Sequence, residues 1–261
     1  MADFITRMLD NAREVLRDGT SRPVEREWVP EVPVALEFNG LSYAVMMATP
    51  TDLEDFVRGF ALTEGLAADI GEIDSIAIAE TDLGVIARAQ LSGLGIEQLS
   101  ERVRMRVAES SCGLCGVENL EIVAKPLPAV ARHDAASEKA VFAAASAMRE
   151  RQTLNRQTGA AHGAGFADLE GNVIEVREDV GRHNAVDKLI GALAANGTDI
   201  AEGIVISTAR CSYEIVEKVV KAGGTRLVTV SLPTTMAVDR ARAAGLSLVC
   251  LARDDSFLQI C

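Results

Sequence analysis

The chain has 261 residues, 48% of them hydrophobic, and a formal net charge of −12 at pH 7. That length and composition allow one or two domains with a full core, and the acidic balance excludes non-specific nucleic-acid binding, which needs a positive field. Neither a signal peptide nor an apolar run of membrane-spanning length is legible, and five cysteines suit free thiols, so we expect a cytoplasmic protein that binds no membrane and no nucleic acid.

Residues 2–17 place Phe4, Ile5, Met8, Leu9, Ala12, Val15 and Leu16 at helical spacing, which predicts an amphipathic helix. The polar stretch from Arg17 to Glu27 reads as a connector. Val32–Phe38, the pair Asn39-Gly40 and Leu41–Ala48 predict a hairpin. Pro50 and the capping pair Thr51/Glu54 then open a helix that buries Leu53, Phe56, Val57, Phe60 and Ala61 and stops at Gly65. Apolar runs near Ile73–Ala79, Val85–Leu91 and Val103–Val107 predict three more strands. Together these elements make a small α+β unit.

Next comes Ser110-Ser111-Cys112-Gly113-Leu114-Cys115-Gly116. Two cysteines at C-x-x-C spacing can converge on one point, so reversible sulfur chemistry and metal ligation are both open. The flanking glycines free the backbone to aim N–H groups at a thiolate, which favours the reactive form. The bland alternative is two buried neighbours.

The second half alternates. A helix over Ser137–Gln152 is followed by a strand pair around Glu170-Gly171 and a helix ending near Ala195. Then come strand 203–207, helix 212–222, strand 226–231, helix 234–244 and strand 246–252. This rhythm implies parallel strands covered by helices. The expected organisation is 1–30 as helix and connector, 31–108 as a small α+β domain, 109–136 as cysteine loop and linker, and 137–261 as an α/β/α domain.

Three further stretches are candidates for chemistry. In Arg177–Lys188, Gly181-Arg182-His183 before a helix makes a natural anion site. Asn184 and Asp187 in the same run also read as a local helix cap, with its neighbours solvated. Thr158–Gly163 surrounds His162 with small residues, which suggests close approach of a ligand or another chain, although a lone histidine is more often structural. Arg210–Glu214 lies at a strand-to-helix junction, where α/β sheets place ligands, and Ser212 there could be a simple N-cap. Cys211, Cys250 and Cys261 read as small hydrophobes.

Two enzyme classes fit poorly. A zinc deaminase needs His-x-Glu upstream of Pro-Cys-x-x-Cys, yet no histidine precedes Cys112 and Ser111 takes the proline's place. A thioredoxin-like enzyme lacks both the hairpin unit before its C-x-x-C and the long α/β unit after it.

Taken together, the chain resembles the FdhD family, sulfurtransferases required for formate dehydrogenase activity. The likeness runs through Glu31–Val34, the hairpin, Phe60–Gly65, the cysteine loop, Thr158-Gly159 with His162, and Arg177–Lys188. It ends with Arg210–Glu214, Pro233–Thr235 and Ala237-Val238. The resemblance implies a cytidine-deaminase-like α/β/α fold without its zinc, no permanently bound metal and a homodimer. It also implies a persulfide on Cys112, loaded by a cysteine desulfurase, with Cys115 either releasing the sulfur or acting as a second carrier. The acceptor would be the molybdenum of bis(molybdopterin guanine dinucleotide), destined for formate dehydrogenase. Residues expected to bind that cofactor are His162, Arg182, His183, Arg210 and the loop Leu251, Ala252, Arg253, Asp254, Asp255 and Ser256. Where relatives carry a second base in that loop, Asp254 and Asp255 stand here and should repel phosphate oxygens. Thr208-Ala209 likewise replaces the usual Ser-Gly. The alternatives are a zinc-binding or cofactor-carrying chaperone without persulfide chemistry, and a thiol–disulfide oxidoreductase.

Overall fold

The computed structural model describes residues 7–8, 12–24, 27–95, 97–101 and 125–261. The expected strand at 103–107 and the loop holding Cys112 and Cys115 lie outside these residues.

Where the N-terminal helix is expected, the described residues form strands instead. β1 (Arg7–Met8) pairs antiparallel with β4 (Glu27–Trp28), and β2 (Arg13–Val15) with β3 (Ser21–Pro23). Of the expected connector, residues 17–23 are the turn and second arm of a hairpin. Asp18-Gly19 makes the turn: Gly19 has φ 85, and the Asp18 carboxylate accepts from the Thr20 backbone N–H at 2.9 Å and from its hydroxyl at 2.6 Å. Val15 stays 71% exposed. With no surface to bury it, the apolar spacing gains nothing from a helix.

The next hairpin forms as expected. β5 (Val32–Phe38) and β6 (Leu41–Ala48) meet at Asn39 and Gly40, whose φ values of 50 and 80 fit a tight left-handed turn. With β7 (Ile73–Thr81) and β8 (Gly84–Leu91) they make a four-stranded sheet of order β6-β5-β8-β7. α1 (Leu53–Thr63) lays the expected face on this sheet, and Phe38, Tyr43, Phe56 and Phe60 pack ring against ring. Its start differs from expectation. Asp52, in a left-handed conformation, precedes the helix and no side chain caps it.

Beyond residue 136 the helices are α2 (Glu138–Arg151), α3 (Thr153–Thr158), α4 (Arg182–Ala195), α5 (Tyr213–Lys221) and α6 (Thr235–Ala244). The strands are β9 (His162–Ala167), β10 (Val173–Asp179), β11 (Ile204–Ser207), β12 (Arg226–Thr229), β13 (Ser247–Cys250) and β14 (Leu258–Gln259). They form one sheet of order β10-β9-β11-β12-β13-β14. β11, β12 and β13 pair in parallel; β9 and β14 flank them antiparallel, and β10, antiparallel to β9, runs in the direction of the central three. Alternation along the strands divides two cores. Ile204, Ile206, Val228 and Val249 meet α2, while Val205, Leu227 and Leu248 meet α4, α5 and α6. Cys211 and Cys250 pack in the second core as expected, but Cys261 is exposed. The terminal backbone pairs along β13, and that leaves its side chain at the rim.

α1 crosses α4 at Gly59 and Gly191, where the backbones touch. A Cβ on Gly59 would fall 1.7 Å from the Asp187 carbonyl oxygen, and one on Gly191 would fall 1.9 Å from that of Asp55. This crossing joins the two halves.

Candidate cofactor-docking edge

Strand direction gathers the candidate residues. β9 runs antiparallel to β11, so its first residues lie at the end of β11; the Gly163 N–H donates to Thr208 Oγ1 at 2.9 Å, and the Thr208 N–H to the Gly163 carbonyl at 3.0 Å. Asp179 ends β10 opposite His162 and leads into α4. The loop Leu251–Ser256 follows β13. His162, Arg182, His183, Arg210 and this loop therefore share the edge at the carboxyl ends of the parallel strands, where such sheets hold ligands. Cys112 and Cys115 are outside the described residues.

Of the small residues beside His162, Gly163 has a local reason to be small. A Cβ on Gly163 would meet Met148 Cε at 2.6 Å and Gln152 Nε2 at 2.7 Å, so α2 already fills that space.

Asn184 and Asp187 do not cap α4, and the end of their run is not solvated. Gly181 precedes the helix, and Asp179, wholly buried, accepts from the Gly181 N–H at 2.7 Å, Asn184 Nδ2 at 2.9 Å and the Thr49 N–H at 3.0 Å. Lys188 Nζ lies 2.6 Å from the same carboxylate and donates to the Thr49 carbonyl at 2.9 Å. Asn184 also donates to the Met47 carbonyl at 2.9 Å, while Asp187 accepts from Thr63 Oγ1 at 2.7 Å and Lys218 Nζ at 2.9 Å. Glu178 serves another helix, accepting from the Leu154 and Asn155 N–H groups at the start of α3 at 2.7 and 2.9 Å. Half of the polar run thus bolts α4 to β6 and α1. That leaves Arg182 and His183, both part-exposed, as its outward pair.

Burial pushes the Lys188 ammonium down, and the Asp179 charge opposes it. Lys188→Met should therefore cost about 3–5 kcal/mol, because it strands a buried carboxylate. Denaturant melts of Lys188→Met and of Lys188→Met with Asp179→Asn check this; the double variant should recover much of the loss.

At the outward pair, His183 Nε2 lies 2.9 Å from Glu214 Oε2, and an Arg182 Nη atom lies 3.9 Å from it. Neither contact is aligned as a hydrogen bond: Arg182 Nε and His183 Nε2 are buried atoms without a hydrogen-bond partner among the described residues. The Ser212 hydroxyl donates to Glu214 Oε2 at 3.3 Å rather than capping α5. The His183 contact holds the Glu214 carboxyl below the usual carboxylate range, with Arg182 adding to it against burial. Burial first, then Arg182 and His183, hold the His162 imidazole below its ordinary value, so it is neutral at pH 7. Arg210 is exposed, and its guanidinium has no partner among the described residues.

The loop after β13 starts at Leu251 with φ 53 and is pinned by the Ala252 N–H, which donates to the Thr229 carbonyl at 3.1 Å. Asp254 turns toward α2 and pairs with Arg149. Its charge is thereby offset, which narrows the expected repulsion of phosphates to Asp255. Exposed Arg210 and part-exposed Arg182 and His183 together put cationic and N–H-bearing side chains on this edge. Among the described residues no group of three or more His, Cys, Asp and Glu could hold a metal, and no helix is long and apolar enough to cross a membrane.

Residues 29–259 match the model of the FdhD/NarQ family. Proteins named sulfur carrier protein FdhD are similar over most of their length. The one from Bordetella bronchiseptica is 43% identical, over 86% of this chain and 81% of its own. That from Cupriavidus necator is 44% identical, over 87% and 79%. That from Agrobacterium fabrum is 41% identical, over 94% and 91%. The fold matches a crystal structure from Desulfotalea psychrophila, of a protein assigned as a formate dehydrogenase accessory protein. The TM-score is 0.72 at 21% identity, covering 98% of this chain and 96% of that one.

Proposed function

The chain belongs to the FdhD/NarQ family, and on that footing we propose that it is a cytoplasmic sulfur carrier that matures formate dehydrogenase, with Cys112 as the carrying residue. The observation that carries this reading is the match across residues 29–259, a span that includes Ser110–Gly116, to relatives named for sulfur transport. The docking edge supports it, because a loaded thiol is useful only where an acceptor can be held.

The chemistry balances. A Cys112 thiolate attacks the outer sulfur of a desulfurase persulfide, forming Cys112–S–SH as the donor cysteine leaves as its thiolate. Cys115 then attacks the inner sulfur of Cys112, closing a disulfide and expelling hydrosulfide toward the acceptor; an external thiol reduces the pair before the next cycle. The acceptor is the molybdenum of bis(molybdopterin guanine dinucleotide), carried as substrate. His162, Arg182, His183, Arg210 and the loop Leu251–Ser256 are read as the residues that hold it. The α/β/α layering supports reading the second half as cytidine-deaminase-like, and a homodimer remains part of this proposal.

Arg182→Ala tests the docking role. It should weaken GDP binding about tenfold, by removing a charge-assisted donor, while Cys112 still loads sulfur from the desulfurase. Calorimetry and intact mass read the two separately. Unchanged GDP affinity in a folded variant would confine Arg182 to structure.

A further inference from the structure

We propose that the outer edge of β7 docks an extended, basic segment of a partner protein, which pairs with β7 and sets alternate Lys or Arg side chains over the hollow beside α1. This surface belongs to the small sheet, not to the docking edge of the second half, and needs no part of the carrier reading.

β7 ends the order β6-β5-β8-β7 and pairs only with β8. On its other side the backbone groups have no strand and no side chain bonded to them among the described residues. β10, which ends the larger sheet, is treated differently. There the Arg151 guanidinium donates to the Val173 and Ile174 carbonyls. Arg177 donates to the Val176 carbonyl at 3.0 Å, and Glu175 accepts from the Val176 N–H at 3.2 Å. Natural edges are guarded by such side chains, by Lys or Pro, by bulges or by a cover. β7 contains neither Lys nor Pro, six of its nine residues are exposed, and its bulge, between Ile73 and Ser75, disturbs only its start.

Ile78 and Glu80 of β7 share a face and line a hollow of about 430 Å³ with Leu53 and the acids at the start of α1. Its lining carries four carboxylates, of Asp52, Glu54, Asp55 and Glu80, against the single guanidinium of Arg58. Arg58 pairs with Glu54 at 2.8 Å and with Asp55 at 3.2 Å, while Glu80 is exposed and has no ion-pair partner among the described residues. A strand added to β7 gains main-chain bonds, and every second side chain of it falls on the face of Ile78 and Glu80, at this acidic hollow. Lys and Arg match it twice, with apolar stems for Ile78 and Leu53 and a cation for the carboxylates. A second copy of this chain fits badly. The only charged residues of β7 are Asp74 and Glu80, so β7 against β7 brings like charges together.

The test uses the full chain and a short blocked peptide of alternating Val and Lys, with a Val/Glu peptide as control. The Val/Lys peptide should bind and slow amide hydrogen exchange along β7. Its affinity should fall about fivefold in Glu80→Lys and about twofold in Glu80→Gln, both at unchanged melting temperature, and the losses should shrink as salt rises. The Val/Glu peptide should bind at least about tenfold more weakly. N-methylation of alternate peptide amides separates strand pairing from charge attraction. Of the two frames one should abolish binding and the other spare it, because only one set of amides faces β7. Absence of binding, equal affinity for the two peptides, survival of binding in both methylated frames, or unslowed β7 amides would overturn the assignment. So would slowing of β7 that grows with protein concentration without peptide, which makes a second copy the occupant.

Discussion

Cys112→Ala is expected to abolish activation of formate dehydrogenase while leaving the fold intact. Sulfur transfer between proteins needs a covalent stop, and alanine offers no atom to form it. Removing the nucleophile of a covalent mechanism leaves only background, a loss on the order of a thousandfold or more. Cys112→Ser should fail equally, since an alkoxide is not available near neutral pH and forms no persulfide analogue. The check is formate dehydrogenase activity in cells that carry the variant as their only copy, with expression and melting compared in parallel. Full activity would remove Cys112 from the mechanism.

The largest structural effect is expected at the crossing of α1 and α4. Gly191→Ala puts a methyl group 1.9 Å from the Asp55 carbonyl oxygen and 2.8 Å from the Gly59 nitrogen. Both neighbours are backbone, so no rotamer change relieves the clash and the helices must separate. Separation strains the Thr63–Asp187–Lys218 bonds and the Lys188–Asp179 pair at once. A cost of at least about 5 kcal/mol follows, beyond ordinary overpacking because backbone is displaced. Soluble yield and a denaturant melt read it. A Gly191→Ala protein with unaltered stability would mean that the crossing is looser than described.

The outcome at each element shows what the sequence could carry. Asn39-Gly40 announces its hairpin because the turn needs left-handed residues that few others supply. The Asp18-Gly19 turn carries the same kind of signal. There the helical spacing of the apolar residues points the other way, and such spacing forms a helix only where there is a surface to bury it. Asn184 and Asp187 mislead for another reason. Their spacing fits a local cap, but their partners lie far along the chain: Met47 is 137 residues away, Thr63 is 124 and Lys218 is 31. No local rule reaches that far. At the site, Arg210 stands at the strand-to-helix junction read from the sequence, and the antiparallel pairing of β9 with β11 and β10 brings His162, Arg182 and His183 to the same sheet edge. Glu214 is missed as a partner of His183 because an acid in a helix's first turn already has a local reason to be there. Asp254 is missed as Arg149's partner because the α2 contact is invisible in a loop sequence.

The central claim is that sulfur rides on Cys112, and peptide mass tests it most directly. After incubation with a cysteine desulfurase and cysteine, the peptide spanning Cys112 should gain one sulfur atom. The gain should disappear on treatment with a thiol reductant and be missing from Cys112→Ala. An unloaded Cys112 in a folded, GDP-binding protein, or zinc held stoichiometrically by Cys112 and Cys115, would contradict the account.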